Sequence, residues 1–268
     1  MAGGNNEHRM VFDIRGRRRH VVKVVYAILA ILMAASLFLV TGAININSIF
    51  GNSSSGESAV SAFEKEAERI EAKLKKEPGE EKLLANLTRA RINTANAMIS
   101  AGVESEGEVE EVKQQLAQVS EDWSEYVKAT GGEPSAGIAI QAAPALFQLA
   151  EISSSSEEAL ENVKAATEAQ EIVAEQRPSL NSLSTLAFYQ LFTQNYKAAN
   201  EALRKAKGYA GTKFERESLE NKYEEVKKNA KEFGKDLKAE KATKSSSAGK
   251  ESLESPLQGI GGSSLSGE

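Results

Sequence analysis

The sequence predicts an all-α protein, and three observations carry that prediction. Apolar residues recur at steps of three and four along most of the chain after residue 57, the spacing of one helix face. No stretch alternates apolar and polar residues for long enough to make a strand. From residue 57 the only prolines before Pro178 are Pro78, Pro134 and Pro144, set in sequence rich in Ala, Glu, Lys and Leu. The expected architecture is a single N-terminal transmembrane helix, a solenoid of helical hairpins and a long C-terminal capping helix.

The chain opens with a basic leader, residues 1–23. Six cations, Arg9, Arg15, Arg17, Arg18, Arg19 and Lys23, stand against Glu7 and Asp13 there, a formal +4, so the −5 of the whole chain leaves −9 for everything after it. Residues 24–44 (VVYAILAILMAASLFLVTGAI) carry no charge. As a helix rising 1.5 Å per residue they span about 31 Å, the thickness of a bilayer core. The next cation after Lys23 is Lys65. Arg15, Arg17, Arg18, Arg19 and Lys23 therefore act as topology determinants that hold the N-terminus in the cytoplasm and place the rest of the chain outside. The same arginines would also attract anionic lipid head groups, at about 1 kcal/mol each. A cleaved signal peptide ending near Thr41-Gly42-Ala43 is the competing reading, against which the apolar run exceeds the usual roughly 7–15 residues. Met10 is an alternative start that leaves this topology unchanged.

Residues 45–56 (NINSIFGNSSSG) are uncharged and rich in Ser, Asn and Gly, the composition of a flexible tether. The helical domain is placed at 57–242. Its first helix carries Val60, Phe63, Ala67, Ile70 and Leu74 in one stripe and stops at Pro78-Gly79. A second, over about 81–101, runs through Leu84, Leu87, Ala90, Thr94 and Ala97. Val109, Val112, Leu116, Val119, Trp123 and Tyr126 define a third, closed by Gly131-Gly132. A small-residue helix follows over about 135–152, then Ser153–Ser156 with Glu157 and Glu158 as loop and N-cap of a helix to Glu175. Two shorter helices occupy about 179–193 and 195–209. The last, 213–242, carries Leu219, Tyr223, Val226, Ala230, Phe233 and Leu237. Residues 243–268 have the composition of a disordered tail, with one apolar island at 253–260.

Leu183-x2-Leu186-Ala187 followed by Ala199-x3-Leu203-x2-Ala206 resembles a tetratricopeptide repeat. Leu146-x2-Leu149-Ala150 repeats the first-helix signature 37 residues upstream, three more than the family's 34-residue period, an excess that the serine loop absorbs. The resemblance covers about 134–210 well and 81–131 loosely, where only Leu84-x2-Leu87 is present. Gln190 stands where an aromatic is common, and Gly211 where a closing proline is usual. The resemblance implies a scaffold that binds a peptide or protein on the face made by the first helices of successive repeats. The residues it turns toward a ligand correspond to Asn181, Ser184, Phe188 and Leu191. In the looser pair, Asn86, Arg89, Asn93 and Asn96 form a polar stripe able to contact a peptide backbone. Ordinary packing between repeats competes for Phe188, and a plain solvated face competes for the Asn/Arg stripe.

Composition narrows the chemistry. The chain has no Cys, and its only histidines are His8 and His20, so the helical domain holds no thiol nucleophile, no His-ligated metal and no Ser-His-Asp triad. There is no Gly-rich phosphate loop, and a net acidic domain does not suit nucleic acid. Its many carboxylates alternate with Lys on helix faces as solvated partners. The expectation is a non-enzymatic, membrane-anchored adaptor needing no cofactor or metal. The alternative is a structural spacer that associates with copies of itself through the stripes of 57–76 and 213–242.

Overall fold

A computed structural model of the chain describes residues 56–103 and 105–251. The chain divides into two units, 1–55 and 56–268, and every described residue belongs to the second. The leader with Arg15, Arg17, Arg18, Arg19 and Lys23, the apolar run 24–44, the tether up to residue 55 and the tail beyond residue 251 lie outside the described residues.

Among the described residues there are eight helices and no strand: α1 (Gly56–Leu74), α2 (Glu81–Ala101), α3 (Glu106–Ala129), α4 (Ala136–Glu151), α5 (Ser156–Gln176), α6 (Leu180–Phe192), α7 (Tyr196–Tyr209) and α8 (Lys213–Glu251). The all-α class is the one the spacing predicts. Local chemistry sets the boundaries. Ser105 and Glu108 form a reciprocal capping box at the start of α3. The serine run between α4 and α5 is divided between two tasks. Ser153 Oγ donates to the Leu149 carbonyl at 2.9 Å and closes α4, while Ser155 Oγ accepts from the Glu158 amide at 3.1 Å and opens α5. Gly131 and Gly132, with φ of 64° and 88°, turn the chain out of α3 in a conformation that favours glycine.

Consecutive helices pack on one another as hairpins, most extensively α4 with α5, α1 with α2, and α6 with α7. α2 also reaches α4, and α8 reaches α5, α6 and α7. This stack of helical hairpins is compatible with a helical-repeat fold. One core joins α2 to α5 around Leu116, Val119, Leu146 and Ala166, and a second joins α5 to α8 around Leu191, Ala199, Tyr223 and Ala230. A smaller one sets Ala67 and Ile70 of α1 against Leu87 and Ala90 of α2. Small residues bring the helices together: Ala139, Ala142 and Ala143 of α4 are completely buried.

Two expectations need correction. Val109 belongs to the apolar stripe of α3 but is 41% exposed, because no described residue covers that face one turn before the buried Val112. The last helix does not end at 242 but continues to Glu251, so the first residues assigned to a disordered tail are helical. Its route also differs from that of a lid over the last hairpin. α8 pairs Glu220 with Lys207 and donates from Tyr223 Oη to Asn200 Oδ1 at 2.8 Å, both on α7. It then crosses the α6–α7 turn, where Gln194 Nε2 donates to the Ala230 carbonyl at 2.8 Å. Finally it reaches the α4–α5 turn, where the Ser156 amide donates to Glu240 Oε2 at 2.9 Å. α8 is a strap across two hairpin tips.

Candidate peptide-binding surface

α4 and α6 differ from their neighbours in carrying almost no charge. α4 has one Asp, Glu, Lys or Arg, Glu151 at its end, and α6 has none. On α4, Ile140 (41% exposed) and Pro144 stand in line with the half-buried Gln141 and Gln148. Pro144 lacks an amide hydrogen, so the Ile140 carbonyl loses its usual helical donor one turn on. Gln148 Oε1 is itself buried beneath that line and accepts no hydrogen bond from the described residues. On α6, the line is Asn181, Thr185, Phe188 and Phe192, of which Asn181 is exposed and the others half-buried. The two helices are joined by stacking of Phe147 on Tyr189, ring centroids 4.4 Å apart at 4°, with Phe192 edge-on to Phe147. This surface offers apolar contact and amide hydrogen bonding without a charge to satisfy, which suits polypeptide better than an ionic ligand.

The residues expected from the repeat pattern divide. Asn181 is exposed and Phe188 lies half-buried against the second core. Ser184 is 2% exposed, its Oγ donating to the Asn181 carbonyl at 3.0 Å, and Leu191 is completely buried. In this structure neither Ser184 nor Leu191 has surface to give a ligand; Thr185 and Phe192 take their place on the open line. On α2, Asn86 is exposed and its Oδ1 accepts from Arg89 Nη1 at 3.0 Å, while Arg89 and Asn93 are half-buried. α2 and α6 both border α4, which lies between the two clusters.

Two features escaped sequence reasoning. Arg91 of α2 binds Glu71 of α1 and Gln118 of α3, and its Nε lies 2.9 Å from Asp122 Oδ2. Burial pushes the Asp122 carboxyl up to about 6 despite the opposing pull of Arg91, with Glu125 and Glu71 adding to the rise. This cluster ties three helices together. The second feature is Glu151, whose carboxyl burial pushes up to about 8; it in turn helps burial raise the Tyr189 phenol. The described residues contain no group of three or more His, Asp or Glu arranged to hold a metal.

Comparison with protein-family models, with curated proteins and with solved structures finds no match to this chain. No helix among the described residues is long and apolar enough to cross a membrane, and 24–44 lies outside them.

Proposed function

We propose that the protein is a single-pass membrane scaffold, with the N-terminus cytoplasmic and a tetratricopeptide-like domain outside that holds a protein or peptide partner. The observation that carries this reading is the uncharged surface of α4 and α6, where Ile140, Pro144 and Asn181 are exposed beside the half-buried Thr185 and Phe188. The apolar run 24–44 supplies the anchor. Tethering confines the domain to the membrane surface and raises its effective concentration toward partners held there. Asn181 adds an exposed amide at one end of this surface. The competing reading, a self-associating spacer, loses support because both stripes it relies on are used within the chain: Ala67 and Ile70 against α2, and Leu219, Tyr223, Val226 and Ala230 in the core of α5 to α8.

Photoreactive residues placed at Ile140 and Thr185 in the membrane-bound protein test the surface, with the exposed α5 positions Lys164 and Glu168 as controls. Adducts to a distinct polypeptide are expected from the first pair and not from the second. Equal labelling from all four, or adducts only to another copy of the chain, would overturn the adaptor reading. A C-terminal alkaline phosphatase fusion is expected to be active; an expressed but inactive fusion would reverse the orientation.

A further inference from the structure

A second apolar surface lies away from α4 and α6. Where α1 starts and α2 turns into α3, a cleft of about 280 Å³ is lined by Val60, Met98, Val103 and Val112. The same turn leaves Ile99, Val103 and Val109 exposed by 37%, 37% and 41%, a concentration of large apolar side chains that a folded surface rarely leaves without use. The wall carries three carboxylates, Glu64, Glu108 and Glu111, and no Lys or Arg. Glu108 is accounted for by the capping box at the start of α3. Glu64 on α1 and Glu111 in the second turn of α3 serve no cap, and among the described residues no ion pair holds either of them.

From this combination we propose that the cleft docks a cationic amphipathic helix of a partner protein, its apolar stripe on Val60, Met98 and Val103 and its Lys or Arg residues against Glu64 and Glu111. Charge selects among the occupants. An acidic rim repels anionic lipid and nucleic acid and attracts a basic segment, while the apolar floor rewards only one whose apolar residues fall at helical spacing. The helix-in-groove mode needs both halves of this pattern. The proposal is independent of the α4–α6 surface and would stand if that reading failed.

The chain has no cysteine, so Val103→Cys in the full-length protein creates a unique thiol at the cleft. The probe is a Leu/Lys peptide of about 14 residues bearing one cysteine, with apolar residues spaced for one helix face. It competes with glutathione for disulfide formation at that thiol. A scrambled peptide of the same composition and a Leu/Glu counterpart are run alongside. Asn221→Cys is the control, an exposed site on α8 outside the cleft, whose neighbours Glu217, Glu224 and Glu225 are paired with Lys213, Lys227 and Lys222. The mixed disulfide at position 103 is expected to form about tenfold more readily with the helical Leu/Lys peptide than with its scramble, a difference of about 1.4 kcal/mol. Glu64→Gln with Glu111→Gln should reduce that preference severalfold, and position 221 should show none. Equal yields at the two positions, equal yields with the scramble, or indifference to the glutamine pair would overturn the proposal. Ile99→Cys repeats the measurement should the Val103 variant fail to fold.

Discussion

Glu151 closes α4 with its carboxyl buried and at the negative end of the helix, so two effects oppose its ionisation. An acid whose folded pKa is raised binds more protons folded than unfolded, and stability therefore falls as pH climbs from about 4.5 toward about 8. Glu151→Gln removes that loss. Relative to the parent, the variant should gain up to about 1.4 kcal/mol per pH unit across that window and nothing more above it. Urea denaturation at several pH values measures this, and parallel curves would show that the carboxylate is solvated. Nothing in the residue pattern marks Glu151, because a lone acid after an apolar run reads as a helix end. Ser184 and Leu191 show the complementary limit. Leu180–Phe192 (LNSLSTLAFYQLF) is uncharged on every side, so its apolar period does not say which side faces water, and a borrowed register missed Thr185 and Phe192.

At the scale of elements, one side chain supplies the hydrogen bond that ties α8 to the α6–α7 turn. Gln194 has a φ of 63° and spends its amide on the Ala230 carbonyl, with Tyr196 Oη donating to its Oε1 at 2.8 Å. Gly234 permits this approach, since a Cβ there would lie 2.8 Å from Gln194 Cδ. Gly234→Ala should therefore cost about 1–2 kcal/mol by forcing the glutamine out of its hydrogen bonds. In a Gln194→Gly background, where the turn keeps its preferred conformation, the same change should cost nothing and gain up to about 1 kcal/mol of helix propensity. Thermal melts of the four chains close the cycle, and additive effects would place the strain elsewhere. The end of α3 and the start of α5 were legible because the Gly131-Gly132 pair and the serine run 153–156 are strong local signals. The route of α8 was not. An amphipathic stripe states that one face is covered without stating by what, and the Gln194 and Ser156 contacts arise only once distant turns are brought together.

Across the whole helical unit, two cores share α5 and are bridged by Phe147, Tyr189, Phe192 and Phe233. Stacked hairpins couple mainly to their neighbours, so a strap over two hairpin tips adds cooperativity that nearest-neighbour contacts lack. Removing residues 230–268 takes away the Gln194 acceptor, Phe233, Leu237 and Glu240 together. The single tryptophan, Trp123, is buried in the α2–α5 core and reports on that part alone. In the parent, tryptophan fluorescence and far-ultraviolet circular dichroism should melt together. In the shortened chain the dichroism should begin to fall first, and coincident melts would show that the strap carries no coupling. The order of the attachments also fixes how the unit responds to mechanical load. Tension drawn on Glu251 away from the α4–α5 turn meets the Ser156–Glu240 bond first, then Gln194–Ala230, then Asn200–Tyr223, one at a time. Bonds loaded in series give way like a peeled tape, so the helix yields at low force, and the hairpins beneath it feel the pull only after it has gone.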